Sequence, residues 1–172
     1  MNYICQTCGK EYKGTPRDIG FQRPAEYFSV PPTERDSRCK LTKDWCVIDD
    51  SRFFIRGILF IRILDVADQF GWGAWAEVAQ RDFEIYYTNY DKDGSSIPAF
   101  VGTLSGEPPG YAGLDGHQVR IQLGTSKDRP EFTLVPSEHL LYREQQNGIT
   151  LHRVAEILHS VFPNDYPDPT NA

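Results

Sequence analysis

Apolar and polar residues alternate most clearly over residues 52–64. The odd positions there are apolar and the arginines fall on even positions: Phe53, Ile55, Leu59, Ile61 and Ile63 against Arg52, Arg56 and Arg62. A period of two places such apolar side chains on one face of a β-strand. Gly57 interrupts the apolar face, and a missing side chain there indicates a bulge or a close approach by another backbone.

Four further segments carry strand signals. Residues 71–79 are rich in aromatic and small side chains, and a strand is also expected over 98–104. Residues 117–124 alternate strictly, and residues 131–135 alternate again after a turn-rich stretch. This last pair predicts an antiparallel hairpin with one buried face.

Three segments carry helical patterns. Aromatic residues recur at i, i+3, i+4 and i+7 from Phe83 to Tyr90 and predict a helix near 82–90. A second helix is expected over 138–146, with Ser137 as its N-cap and Gly148 as its stop. A third is expected over 150–162, because Thr150 precedes a single apolar stripe that ends at a proline.

The length of 172 residues fits one domain. Residues 1–45 lack periodicity and are rich in Gly, Pro and charge, which predicts an irregular arm; residues 46–162 form the core, and residues 163–172 are expected to fray. The predicted fold class is α+β: an antiparallel sheet of about five strands with two or three covering helices. The irregular N-terminal arm, with its cysteine knuckle, would pack at one edge.

Composition and net charge limit the classes of partner that we expect for this protein. Hydrophobic residues make up 40% of the chain, so an ordered core is attainable. Eighteen basic against twenty-four acidic residues give a net charge of -6, which argues against nucleic acid and against anionic membranes as partners. The first residues contain neither a basic segment nor an apolar segment typical of a signal peptide, so we expect a cytoplasmic protein.

Four cysteines in a reducing compartment favour thiols, metal ligands or redox groups over disulfides. Cys5 and Cys8 form a C-x2-C turn followed by Gly9, a knuckle that suits tetrahedral zinc. Cys39 and Cys46 could complete a four-cysteine structural zinc site, although their spacing departs from a second C-x2-C. An incomplete site and a redox role remain alternatives, and a cysteine among apolar neighbours is commonly a small core residue.

Other polar residues admit more than one interpretation. His152, Glu156 and His159 share one face of the last predicted helix, where metal binding is geometrically possible. We interpret them as a polar outer face, because no further ligand segment is identifiable. Asp44 belongs to a group of carboxylates beside a strand, where turn formation or ion pairing is more typical than acid–base chemistry.

The competing hypothesis is an enzyme or small-molecule binder that uses an aromatic cleft. Trp72 and Trp75 could line an apolar pocket, although such aromatics are more often core. Arg129 would hold an anionic group and His139 would move a proton. The chain has neither G-x-S-x-G nor a phosphate-binding G-x4-G-K-[ST] loop, so its motifs favour a protein that is not an enzyme without deciding the matter.

A series of short motifs extends over most of the chain. In order, they are Cys5-x-x-Cys8-Gly9, Asp44-Trp45-Cys46-Val47-Ile48-Asp49, Arg52-Phe53-Phe54-Ile55-Arg56-Gly57, Trp72-Gly73-Ala74-Trp75, Phe100-Val101-Gly102-Thr103-Leu104, Pro109-Gly110-Tyr111, Arg129-Pro130, Glu138-His139-Leu140 and Glu144-Gln145-Gln146-Asn147-Gly148-Ile149-Thr150. This series resembles the bacterial family called domain of unknown function 2199. The resemblance implies a single bacterial cytoplasmic domain with an N-terminal cysteine knuckle, and it implies no particular activity.

The chain departs from that family pattern at two positions. Tyr12 stands where members often have a histidine, which argues against a knuckle histidine as a metal ligand. Leu140 follows His139 where a proline is usual, which changes the turn around this histidine.

The leading hypothesis from the sequence is a non-catalytic binding or interaction module with a structural zinc ion. Its acidic surface would meet a protein partner. An immunity-type protein that neutralises a basic toxin is one version of this hypothesis.

Overall fold

The computed structural model describes residues 2–166 and 168–170. Its strands are β1 (Tyr3–Ile4), β2 (Glu11–Tyr12), β3 (Asp18–Gly20), β4 (Cys39–Leu41), β5 (Trp45–Ile48), β6 (Arg52–Ile63), β7 (Asp68–Val78), β8 (Phe100–Ser105), β9 (Gln118–Gln122) and β10 (Glu131–Leu134). Its α-helices are α1 (Ala25–Ser29), α2 (Arg35–Arg38), α3 (Gln80–Thr88), α4 (Leu140–Asn147) and α5 (Leu151–Val161).

Five strands close into a mixed barrel. Neighbours from β6 through β7, β8 and β9 to β10 pair antiparallel, and β10 returns to β6 in parallel at Glu131 and Ile58. The predicted open antiparallel sheet with covering helices is therefore wrong: the fold is mostly sheet, with a closed barrel, extra strands and few helices. Alternation specifies which face of a strand is buried, but it does not specify which strands meet at their edges.

The apolar face predicted for residues 52–64 points into the barrel interior. Ile55, Leu59 and Ile61 are fully buried there. A Cβ placed on Gly57 would lie 2.2 Å from a ring carbon of Phe132 on β10. Gly57 therefore leaves room for an aromatic side chain inside the barrel, which is a close approach by a ring rather than by a backbone.

The first 45 residues are more regular than predicted. Strand β3 adds in parallel to β7, and the β4–β5 hairpin adds to the first half of β6. These additions cover an outer apolar cluster that includes Phe54 and Trp75. Strands of two to four residues are too short to show a period, and their pairing with longer strands is what orders them.

Several local predictions are confirmed. Strands β9 and β10 form the expected antiparallel hairpin. The hydroxyl of Thr150 accepts a hydrogen bond from the amide of Arg153 and caps α5, and Gly148 has a φ of 84° after α4. The cap of α4 was predicted at the wrong residue, because His139 rather than Ser137 accepts from a helix amide through its side chain.

The end of the chain falls in part outside the described residues. The prediction that residues 163–172 fray covers residues 167, 171 and 172, which are among those the structure does not describe, and it stays a prediction. Within the described part, Tyr166 approaches α5, where its carbonyl lies 2.7 Å from Nδ1 of His159. Among the described helices, none is both long enough and apolar enough to cross a membrane.

Candidate metal centre and ligand cavity

The C-x2-C turn forms a tight knuckle between β1 and β2. The amide of Gly9 donates to the carbonyl of Cys5 at 2.8 Å, and the amide of Cys5 donates to the carbonyl of Lys10 at 2.9 Å. Gly9 has a φ of 71°, a conformation that glycine adopts without steric cost. The knuckle therefore has the compact backbone that the sequence predicts.

Helix α5 brings a histidine to this knuckle. The Cys5 sulfur lies 3.3 Å from Nδ1 of His152, and the ligand atoms of Cys5, Cys8 and His152 all lie within 4.8 Å of one another. The buried side of the hairpin packs on Ala155, one helical turn along from His152. The prediction that His152 belongs to a polar outer face is therefore wrong, since its ring faces the two thiols.

The surroundings of the cluster suit deprotonated sulfur. A hydrogen bond from the backbone of Lys10 lowers the pKa of the Cys8 thiol to about 7. The buried Tyr12 hydroxyl faces Cys8 and has no other hydrogen-bond partner among the described residues. Burial and then the nearby Cys8 raise the pKa of Tyr12 to about 12, so this hydroxyl keeps its proton beside the sulfur.

The three ligand atoms fit a metal ion with a preference for sulfur and imidazole. Two thiolates and one imidazole are ligands typical of zinc. The second ring nitrogen of His152 lies 3.6 Å from a carboxylate oxygen of Glu156, the arrangement that orients metal-bound histidines in many sites. Among the described residues three supply ligand atoms to this cluster, and Tyr12, whose hydroxyl faces Cys8, is not a usual zinc ligand.

The predicted four-cysteine site does not assemble. Cys39 lies on β4 and Cys46 on β5, and both contact the outer apolar cluster rather than the knuckle. Burial raises the pKa of Cys46 to about 12, which disfavours the thiolate that a metal requires. Cys46 is therefore the small core residue that its apolar neighbours suggested.

The predicted aromatic cleft does not assemble either. Trp72 and Trp75 are both fully buried, but they lie three positions apart on β7 and so point to opposite faces of the strand. Trp72 packs inside the barrel against Tyr111, whereas Trp75 lies under the N-terminal segment and donates to the carbonyl of Phe21. The two rings cannot line one pocket.

His139 and Arg129 lie in different parts of the structure and do not share a site. Nδ1 of His139 accepts a hydrogen bond from the amide of Leu141, and its Nε2 lies 3.1 Å from the carbonyl of Ala112. Both ring nitrogens are therefore engaged in holding the start of α4. Arg129 instead lines a cavity of about 640 Å³, and His139 is not among the residues that line this cavity.

Asp44 organises the wall of that cavity. One of its carboxylate oxygens accepts from Nε of Arg129 at 3.0 Å, and the other accepts from the hydroxyl of Tyr90 at 2.5 Å. Burial acts to raise the pKa of Asp44, but the hydrogen bonds from Tyr90 and Arg129 outweigh it and hold the pKa below its ordinary value. Asp44 is thus an ion-pair partner, as expected for a carboxylate beside a strand, and the residue it pairs with is Arg129.

Sequence reasoning missed two connections in these sites. It identified Cys5 and Cys8 as metal ligands but interpreted His152 as part of a polar outer face, because it could not see that the first turn and the last helix meet. It also recognised the aromatic face of α3 without finding that Tyr90 reaches Asp44. Both connections join segments far apart in the chain, and no local pattern records them.

Comparison with known proteins places the chain in a family. A family model described as an uncharacterised protein conserved in bacteria, DUF2199, matches residues 4–149. No curated protein and no solved structure matches the chain. Because the match spans most of the sequence, from the knuckle to the residue before the cap of α5, the chain belongs to the DUF2199 family of uncharacterised bacterial proteins.

Proposed function

We propose that this protein is a non-catalytic binding module whose N-terminal hairpin is fastened to its last helix by a zinc ion. The observation that carries the proposal is the cluster of Cys5, Cys8 and His152, whose ligand atoms lie within 4.8 Å of one another. A zinc ion there would join the first turn of the chain to its last helix.

The position of the cluster favours a structural role for the ion. Hairpin β1–β2 is short, and two-stranded hairpins of this size are marginal by themselves. Among the described residues, the hairpin is also attached to α5 by the hydrogen bond from the Tyr3 hydroxyl to the carbonyl of Leu151 and by the packing of Cys5 and Tyr12 on Ala155. Metal ligation would add a strong link where apolar burial is small.

The partner we propose is a protein with a basic surface. The net charge of -6 favours attraction to such a surface and speeds the encounter with it. The thiolate ligands require a reducing environment, so we place the protein in the cytoplasm.

The metal is tested by elemental analysis of untagged protein purified without added metal. We expect one zinc per chain, lost in Cys8→Ser and in His152→Ala. Cys39→Ser is the matched control, because it removes a partly buried thiol outside the cluster and should retain the ion. Wild-type protein without zinc, or equal loss from the Cys39→Ser control, would refute the metal centre.

Cobalt substitution gives an independent readout of the ligands. Tetrahedral cobalt bound to thiolates has a sulfur-to-metal charge-transfer band, which should be present in wild-type protein and weakened in Cys8→Ser. An octahedral spectrum without this band would show that the cysteines do not bind the ion.

The partner is tested by capture of bacterial proteins at low salt and at physiological salt. We expect a basic protein that is retained at low salt and released as the salt rises, since screening weakens an electrostatic complex. Retention of acidic proteins only, or of none at either salt concentration, would contradict this part of the proposal.

A further inference from the structure

The cavity beside Asp44 arises where two strands leave the same edge of β6. The amide of Arg56 donates to the carbonyl of Asp44, and two residues later the amide of Ile58 donates to the carbonyl of Pro130. Within two residues, this edge of β6 therefore changes its hydrogen-bond partner, from the turn that precedes β5 to the segment that leads into β10. The gap between these segments opens into the cavity of about 640 Å³, a size within the range of small-molecule sites.

Arg129 is held in place on this cavity with part of its guanidinium free. Its Nε donates to Asp44, and its two terminal nitrogens have no hydrogen-bond partner among the described residues. A planar guanidinium whose Nε is fixed by a carboxylate keeps a pre-oriented pair of donors that match an oxyanion. Asp44 is therefore a positioning residue for Arg129.

Further positive charge surrounds Arg129. Lys43 and Lys127 line the cavity, and neither takes part in an ion pair with any residue the structure describes. Arg56 lies close by: its Nε is buried without a partner among the described residues, and burial followed by the charge of Arg129 lowers its pKa. Three cations, Lys43, Lys127 and Arg129, and three carboxylates, Asp44, Asp128 and Glu131, line the cavity, and Arg56 adds a cation beside it.

The other walls are apolar or aromatic. Ile58 and Phe60 face the cavity from the outer side of β6, and Tyr86 and Tyr90 face it from the end of α3 and just beyond. Two rim carboxylates limit the total charge a ligand can carry. Asp128 accepts from the hydroxyl of Thr125, and Glu131 is exposed at the start of β10.

We propose that this cavity binds a small molecule with one carboxylate or phosphate group and an apolar or aromatic body. Arg129 binds the oxyanion, Lys43 and Lys127 add attraction, and the tyrosine rings pack on the body of the ligand. The two rim carboxylates disfavour polyanions. This inference goes beyond the zinc-fastened module and does not depend on it, since the cavity lies apart from the cysteine cluster.

The experiment titrates four probes into ¹⁵N-labelled full-length protein and follows amide shifts. Benzoate and phenyl phosphate carry the two candidate anionic groups on one aromatic body, benzamide is the neutral match, and inorganic phosphate lacks the body. We expect benzoate or phenyl phosphate, whichever carries the preferred group, to shift the amides of Tyr90, Lys127 and Arg129, with weaker effects from the other two probes. Comparing the two anions distinguishes a carboxylate site from a phosphate site.

Variants then identify the anion-binding group. Arg129→Gln and Lys127→Gln should each weaken binding of the preferred anion, with a loss of about 10-fold or more for Arg129→Gln. Arg81→Gln is the control, because it makes the same change of charge on an exposed arginine of α3 that does not line the cavity. Lys127 is exposed, so its variant keeps the test valid if Arg129→Gln does not fold.

Three outcomes would overturn the proposal. In the first, no probe shifts the cavity amides at about 10 mM, a concentration that would reveal even weak binding. In the second, benzamide binds as tightly as the anions. In the third, Arg129→Gln and Lys127→Gln both bind as wild type does.

Discussion

Asp44 shows how a single side chain serves both stability and a ligand site. It is buried, yet it accepts hydrogen bonds from Arg129 and Tyr90 and forms an ion pair that bridges the turn before β5 to the segment before β10. A buried carboxylate without such partners would be costly. The pairing therefore explains why a charged residue is tolerated at this depth.

We predict that Asp44→Asn lowers the free energy of unfolding at pH 7 by about 1–3 kcal/mol, because it leaves Arg129 and Tyr90 without a charged acceptor. The pKa of Asp44 is lowered in the folded protein, so its stabilising effect is present above the unfolded pKa and is lost as the pH falls through the folded pKa. Urea unfolding of both proteins from pH 7 down to about 3 checks this. A difference that does not shrink toward low pH would contradict it.

Gly57 is a second single residue that affects stability, because its lack of a side chain leaves space for the ring of Phe132. We predict that Gly57→Ala destabilises the protein by about 1–3 kcal/mol, because the new methyl group would overlap the ring of Phe132. A double-mutant cycle with Phe132→Leu is the check: removing the ring should reduce the cost of the alanine. If the two costs simply add, the ring is not the cause.

At the scale of elements, helix α4 depends on how it begins. Its N-cap is His139, whose Nδ1 accepts from the amide of Leu141. The residue that sequence reasoning offered as a proton carrier is thus a helix cap. Its ring also contacts Tyr111 and His117, which ties the start of the helix to the long loop between β8 and β9.

This role predicts that His139→Ala lowers the free energy of unfolding by about 1 kcal/mol, since one helix amide loses its acceptor. His139→Asn should retain most of the stability, because asparagine is among the best N-cap residues. Thermal or urea unfolding of the two variants measures the difference. Equal destabilisation by Ala and Asn would show that capping is not what His139 contributes.

At the scale of the whole molecule, the proposed zinc site connects the two ends of the fold. Cys5 and His152 are separated by 147 positions in the sequence, and all the strands of the barrel come between them in chain order, yet their side chains meet. Any ligand that binds only the folded state stabilises it by mass action. The metal should therefore affect global stability as well as the hairpin.

We predict that zinc added to metal-free protein at about 100 times its Kd raises the melting temperature by about 5–10 °C. Cys8→Ser should abolish this shift, and Cys39→Ser should preserve it, because Cys39 lies outside the cluster. Differential scanning calorimetry with and without a chelator is the measurement. A shift of the same size in Cys8→Ser would mean that zinc acts elsewhere.

The sequence by itself determined the local elements of this protein. The period of two over 52–64, the paired alternation before and after the 124–130 turn and the apolar stripe after Thr150 each specify an element, because side-chain periodicity and capping are local properties. The C-x2-C knuckle belongs to the same class. Its turn is encoded in five consecutive residues.

Only the tertiary structure decided which of these elements meet. The parallel pairing of β10 with β6 closes the barrel. Helix α5 brings His152 to the knuckle, whereas Cys39 and Cys46 lie in a different cluster. Strand β7 directs Trp72 and Trp75 to opposite faces. Each of these facts depends on contacts between distant segments. Such contacts follow from how all the apolar faces are buried together, and a single local pattern does not contain that information.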